Sequence, residues 1–95
     1  MSQVPRIKIE SVLPTKGFVV EESKDRYYFF EYNGKRTGIY TWTSRGSGYK
    51  TYGIELLKVM KKFLKLDTLA ELRDLLNCPM SKQQYEAKLK NKGLI

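Results

Sequence analysis

The chain has 95 residues, 41% of them hydrophobic, and its 18 lysines and arginines against 10 acids leave a net charge of +8. That length holds one hydrophobic core and not two, and the apolar content is enough to offset the entropy of ordering a small domain. The single cysteine excludes an internal disulfide, no apolar run reaches the roughly 18 residues of a membrane span, and the lack of histidine removes the usual zinc ligand and the usual general base at neutral pH.

Pro5 suits a first helical turn, and Ile9, Val12 and Leu13 fall at helical spacing before Pro14. A short helix near residues 6–13 is predicted, although Ile7 and Ile9 also alternate as in a strand. Thr15 to Gly17 reads as a turn, and Phe18 to Glu22 as a first strand. After a second turn at residues 23–25, residues 26–32 form a strand of aromatic, strand-favouring side chains. Asn33-Gly34 predicts a type I′ hairpin turn, because both residues tolerate positive φ, and residues 35–43 return as a third strand. A two-residue loop sets Glu31 opposite Arg36, an opposite-charge pair, and Phe29 opposite Gly38.

The period of two then divides the rings. Tyr28, Phe30, Tyr32, Thr37 and Ile39 share one face; Tyr27, Phe29, Tyr40 and Trp42 share the other. A small antiparallel sheet covers one face with helices, so one set of rings is expected to stay partly open. Ile39 and Thr37 suit a packed side, and the polar handles of Tyr27, Tyr40 and Trp42 suit a wet one.

SRGSGYKTYG, residues 44–53, is a basic glycine-rich loop leading into a helix. It can offer backbone N–H groups to a phosphate, but it matches neither the P-loop nor the dinucleotide fingerprint. The next helix, IELLKVMKKFLKL, sets Leu56, Leu57, Met60, Phe63 and Leu64 on one stripe and Lys58, Lys61, Lys62 and Lys65 opposite. Thr68 to Glu71 is a capping box, with Leu69, Leu72, Leu75 and Leu76 as the buried side of the helix it opens. A break at residues 77–80 contains Cys78, read as a small buried hydrophobe. Ser81 to Gln84 is a second capping box, Tyr85 and Leu89 are the core pair of the last helix, and Gly93 ends it, with Leu94-Ile95 folding back on the core or onto a partner.

These elements predict an α+β fold: a three-stranded antiparallel sheet packed on an amphipathic helix in the order α-β-β-β-α, then a C-terminal helical pair. One domain spans residues 1–95, with its core at 7–66 and a helical extension at 67–95. Eight basic residues and one acid lie from Lys35 to Lys65, so that segment carries +7, a local excess that attracts polyanions.

The stretch KGFVVEESKDRYYFFEYNGKRTGIYTWTSRGSGYKTYGIELLKVMKKFL resembles the HicA-like family of small prokaryotic toxins. The likeness rests on "KGF" before the first strand, the ring-rich second strand, the tight turn, the third strand, the basic glycine-containing loop and the amphipathic helix. The tail LRDLLNCPMSKQQYEAKLKNKGLI is similar to the extension of a related prokaryotic group. The resemblance implies a double-stranded-RNA-binding-domain-like fold over roughly residues 7–66. For the family it implies ribonuclease activity that depends on a histidine early in the second strand. Here Arg26 or Tyr27 occupies that place. Either can meet a phosphate or stack on a base, but neither is a base at neutral pH. The resemblance therefore implies an RNA-binding scaffold without catalysis.

The expected nucleic-acid contacts are Arg36, Arg45, Lys50, Lys58, Lys61 and Lys62 on phosphates, Tyr27, Tyr40 or Trp42 stacking on bases, and Arg26, which with Tyr27 is a candidate for the histidine's place. RNA is preferred to DNA as the partner, with an antitoxin-like protein or a second copy as alternatives. Three other readings compete. One is an mRNA interferase using Tyr27, Arg45 and Asp25; one is a DNA-binding helical pair presenting Gln83, Gln84 and Lys88; one is a protein-interaction subunit pairing through a strand edge. No cofactor, metal or membrane partner is expected, and the expected location is the cytoplasm.

Overall fold

The computed structural model describes residues 3–44, 50–77 and 80–95. Val4–Pro5 is a two-residue strand, β1, and Pro5 is also the extended residue that opens helix α1, Arg6–Val12. A 3-10 turn over Leu13–Lys16 carries Pro14 and ends on Gly17 at φ 94. Ile9 and Leu13, one turn apart, are fully buried, while Ile7 faces solvent, so the helical period holds here rather than the strand alternation.

Phe18–Glu22 (β2), Arg26–Tyr32 (β3) and Lys35–Thr43 (β4) form an antiparallel sheet in that order. Asn33 and Gly34 take positive φ, 54 and 75, as the two central residues of a I′ turn require. Next to the turn, Glu31 stands opposite Arg36 and Tyr32 opposite Lys35. Beyond it the ladder shifts, so Phe29 stands opposite Tyr40 and not opposite Gly38 as the hairpin register predicts. The cause is a bulge. Gly38 turns to φ 86, the Thr37 hydroxyl donates to the Phe30 carbonyl (2.9 Å), and it accepts the Ile39 N–H (3.2 Å). The shift is by an even number of residues, so every side chain keeps its predicted face.

Tyr28, Phe30 and Ile39 are buried; Tyr27, Phe29, Tyr40 and Trp42 are half-buried. A second small sheet, which the sequence does not signal, pairs β1 with Thr51–Tyr52 (β5), inside what reads as loop. The Arg6 N–H donates to the Lys50 carbonyl beside it (2.8 Å). Two residues per strand are too few for a period to register.

Ile54–Phe63 forms α2, Leu69–Leu76 forms α3 and Lys82–Asn91 forms α4. Leu57, Met60 and Leu64 of the predicted α2 stripe are buried, but Leu56 is exposed and Phe63 only half-buried. The Thr68 hydroxyl accepts the Glu71 N–H, yet the Glu71 carboxylate reaches back to Asp67 N–H (2.8 Å) rather than to the cap residue itself. The Ser81–Gln84 box is complete. At the end of α4, the Gly93 N–H bonds the Lys90 carbonyl and the Leu94 N–H bonds the Leu89 carbonyl, a Schellman closure with Gly93 at φ 72.

The extension is not a separate layer. Leu72, Leu75, Leu76, Tyr85 and Leu89 belong to one core cluster with Ile9, Phe18, Phe30 and Leu57. The Tyr85 ring packs on Phe18 (5.8 Å) and edge-on to Phe30 (5.0 Å), and its hydroxyl donates to the Leu64 carbonyl (2.7 Å). Lys16 is buried in the same region and donates to the Met80 carbonyl (2.5 Å). The radius of gyration, 12.6 Å, matches the roughly 12 Å of a compact chain of this length.

The end of α2 copies the same closure with an ill-suited residue. Lys65 sits at φ 64, its N–H on the Lys62 carbonyl and the next N–H, of Leu66, on the Lys61 carbonyl. A residue with a Cβ carries strain there that glycine does not. Lys65→Gly is therefore expected to stabilise the fold by about 0.5–1 kcal/mol, raising the thermal midpoint by a few degrees. A lowered midpoint would show that the Lys65 side chain itself holds the turn.

Candidate nucleic-acid interface

The open face of the sheet is a run of rings. Tyr27 stacks beside Phe29 (6.2 Å), Phe29 beside Tyr40 (5.7 Å), and Tyr40 lies 6.1 Å from Trp42. Phe63 of α2 closes the run, edge-on to Trp42 at 4.8 Å and to Tyr40 at 5.6 Å. Phe63 thus leaves the predicted core stripe to cover one margin of this face. The strand period explains why the rings line up: β3 and β4 each place alternate residues outward, and the even bulge shift keeps both sets on one side. Arg36 lies over the Phe29 ring, 4.3 Å from its centre, and its guanidinium pairs with Glu21 of β2. Register alone sets Arg36 opposite Glu31; its longer reach takes it across the sheet instead.

At the end of the sheet next to Tyr27 and Trp42, charged groups converge. Arg6 Nη1 donates to the Ser44 carbonyl (2.7 Å), and its Nε lies 3.6 Å from Glu10. Glu10 also stands 3.7 Å from Arg26 Nη1, and Arg26 Nη2 stands 3.3 Å from Glu22. Arg26 Nε is buried with no hydrogen-bond partner among the described residues. Lys50 lines a shallow cleft of about 310 Å³ with Arg6, Ile7 and Glu10. At the same strand end Tyr28 shares a hydrogen bond with Thr43 (3.0 Å), and burial pushes the Tyr28 phenol above its ordinary value. Arg26 and Glu22 share the pleat of buried Tyr28, opposite to that of Tyr27 and Trp42, so three cations and two carboxylates gather at the end of the sheet on its helix side, an arrangement that can meet a phosphate near the margin of the ring face.

Tyr27, Arg36, Tyr40 and Trp42 therefore share the open face, while Arg26 and Lys50 belong to the charged cluster at the end of the sheet, Arg26 on the opposite pleat. Lys58, Lys61 and Lys62 join neither. At about 3.6 residues per turn, Leu56, Val59 and Phe63 occupy the flank of α2 toward the rings, and Lys58 and Lys61 the opposite flank. There, with Lys62, they line a groove toward the start of α3 and the chain end. Arg45 and Cys78 lie outside the described residues, as does most of the glycine-rich loop. Arg6 and Glu10 are not among the contacts expected from the sequence. Their spacing of four on a predicted helix marks a pair, but only packing brings that pair to the sheet end.

Of the residues named for DNA reading, Gln84 closes its capping box and Lys88 is bonded to Glu71 (2.7 Å), so both are engaged within the fold. No helix among the described residues is long and apolar enough to cross a membrane. Compared with protein-family models, curated proteins and solved structures, the chain matches none.

Proposed function

We propose that this chain is a small cytoplasmic RNA-binding protein without catalysis, a HicA-like scaffold that holds single-stranded RNA across the ring face. The observation that carries the reading is the half-open run of Tyr27, Phe29, Tyr40 and Trp42 with Arg36 over the Phe29 ring, and the Arg6–Arg26–Lys50 cluster at the end of the same sheet adds positive charge near its margin. Stacking on such rings needs unstacked bases, which single strands offer and a duplex hides. This is the reason for RNA over duplex DNA. On the resemblance, Arg26 or Tyr27 takes the place of the family's histidine; Arg26, between Glu10 and Glu22, can position a phosphate but not remove a proton.

Trp42 is the only tryptophan, so its fluorescence reports on this face directly. A mixed-sequence single-stranded RNA is expected to quench it. Three or four phosphate contacts imply that affinity falls roughly 20- to 50-fold between about 50 and 200 mM salt. Tyr40→Ala is expected to weaken binding by about tenfold, within the range of one lost stacking partner, and to cost less in folding. Quenching that ignores salt, or that duplex DNA produces equally well, would sink the reading.

A second reading rests on one observation. Val19, Leu56 and Val59 are exposed, with Val19 opposite Phe29 on β2 and the other two on the ring-side flank of α2. An apolar margin of this kind also suits a protein partner. Sedimentation across a concentration series separates the two: self-association that RNA does not alter belongs to the second.

A further inference from the structure

The lysines left off the ring face have a place of their own. Lys58, Lys61, Lys62, Lys65 and Lys92 surround a groove of about 910 Å³ between the end of α2, the start of α3 and the chain end. Its floor is apolar, made by Leu66, Leu69 and Leu94. Asp67 is the only acid lining it among the described residues, and Lys92 already answers that charge at 2.8 Å. Leu94 remains 41% exposed although the Schellman closure fixes its backbone. Lys65 is held at positive φ on the rim.

We propose that this groove docks an acidic amphipathic helix of a partner protein, a site distinct from the ring face and independent of the RNA reading. Two features select that occupant. With Lys92 already paired to Asp67, the four remaining ammonium groups still exceed what one carboxylate of a small amphiphile can answer, and call for several negative charges side by side. A phosphate backbone would supply those charges but gains nothing from a leucine floor. A helix with leucines at i, i+3, i+4 and i+7 and glutamates beside them satisfies both. Because the groove lies on the flank of α2 opposite Phe63, its occupant leaves Trp42 and Tyr40 open.

The test uses the full chain and a labelled synthetic peptide of about 18 residues, leucine and glutamate on an alanine background, long enough to hold a helix when bound. A second peptide has the same composition in scrambled order. The patterned peptide is expected to bind at least about tenfold tighter, since only it matches floor and rim together. Leu94→Glu, on the exposed floor, and Lys58→Glu, on the exposed rim, should each weaken it by about tenfold or more, with the thermal midpoint little changed. Saturating single-stranded RNA should leave the peptide bound. Equal binding of the scrambled peptide, no binding of either, indifference to both variants, or displacement of the peptide by RNA would each overturn the proposal.

Discussion

Tyr85→Ala is expected to cost about 3–5 kcal/mol, a large share of a total stability of order 5–15 kcal/mol. Tyr85 is fully buried, and its ring sits between the extension and the sheet, on Phe18 and Phe30. Removing it opens a cavity where α4 meets β2 and β3, which the neighbouring rings can refill only in part. Tyr85→Phe keeps the ring and removes only the hydroxyl, leaving the buried Leu64 carbonyl without the donor it has at 2.7 Å. That variant is expected to lose about 1–3 kcal/mol. Burial also pushes the Tyr85 phenol well above its ordinary value. The group is therefore neutral in the fold when the unfolded phenol, near 10, begins to ionise. Its contribution is whole below that pH and is lost as pH rises above it, and Tyr85→Phe lacks this alkaline loss. Urea denaturation of the three proteins at neutral and alkaline pH checks each step. A Tyr85→Ala protein with an unaltered midpoint would show that the extension folds apart from the sheet.

Leu57→Ala is the second large effect, at about 2–5 kcal/mol, because Leu57 is fully buried in the core cluster. Phe63→Ala, which the sequence stripe places with it, is expected to cost less, about 1–2 kcal/mol, since Phe63 is half-buried and gives up edge contacts rather than a filled cavity. The two also differ in what they disturb. Phe63 lies edge-on to Trp42 at 4.8 Å, so Phe63→Ala shifts Trp42 emission in the folded protein, whereas Leu57→Ala acts through stability. Lys62→Ala, on the exposed side, should stay within about 0.5 kcal/mol. If Phe63→Ala proves as costly as Leu57→Ala and leaves Trp42 emission unmoved, Phe63 belongs to the core after all.

Features that depend on neighbours along the chain were legible without the fold. Asn33-Gly34 set the turn, because positive φ at two adjacent residues is a local demand. The period of two assigned Tyr28, Phe30 and Ile39 to the buried face and Tyr27, Tyr40 and Trp42 to the open one, and the period of 3.6 buried Leu57, Met60 and Leu64. Ser81 and Gln84 capped α4 from within four residues. Together these determine the α+β class and the three-stranded antiparallel sheet.

Features that depend on groups distant in the chain emerged only from packing. The bulge at Thr37–Gly38 moved the partner of Phe29 from Gly38 to Tyr40, through a side-chain hydrogen bond that no alternation pattern records. Phe63 and the lysines of α2 were split between two surfaces, because a helix lying against β4 has two flanks, and a basic count along the chain cannot say which flank faces which neighbour. Glu10 of α1 reached Arg26 of β3, and Tyr85 of α4 reached the Leu64 carbonyl at the end of α2. Such contacts are set by how elements pack, where burial and charge pairing across the chain outweigh any preference of a single segment.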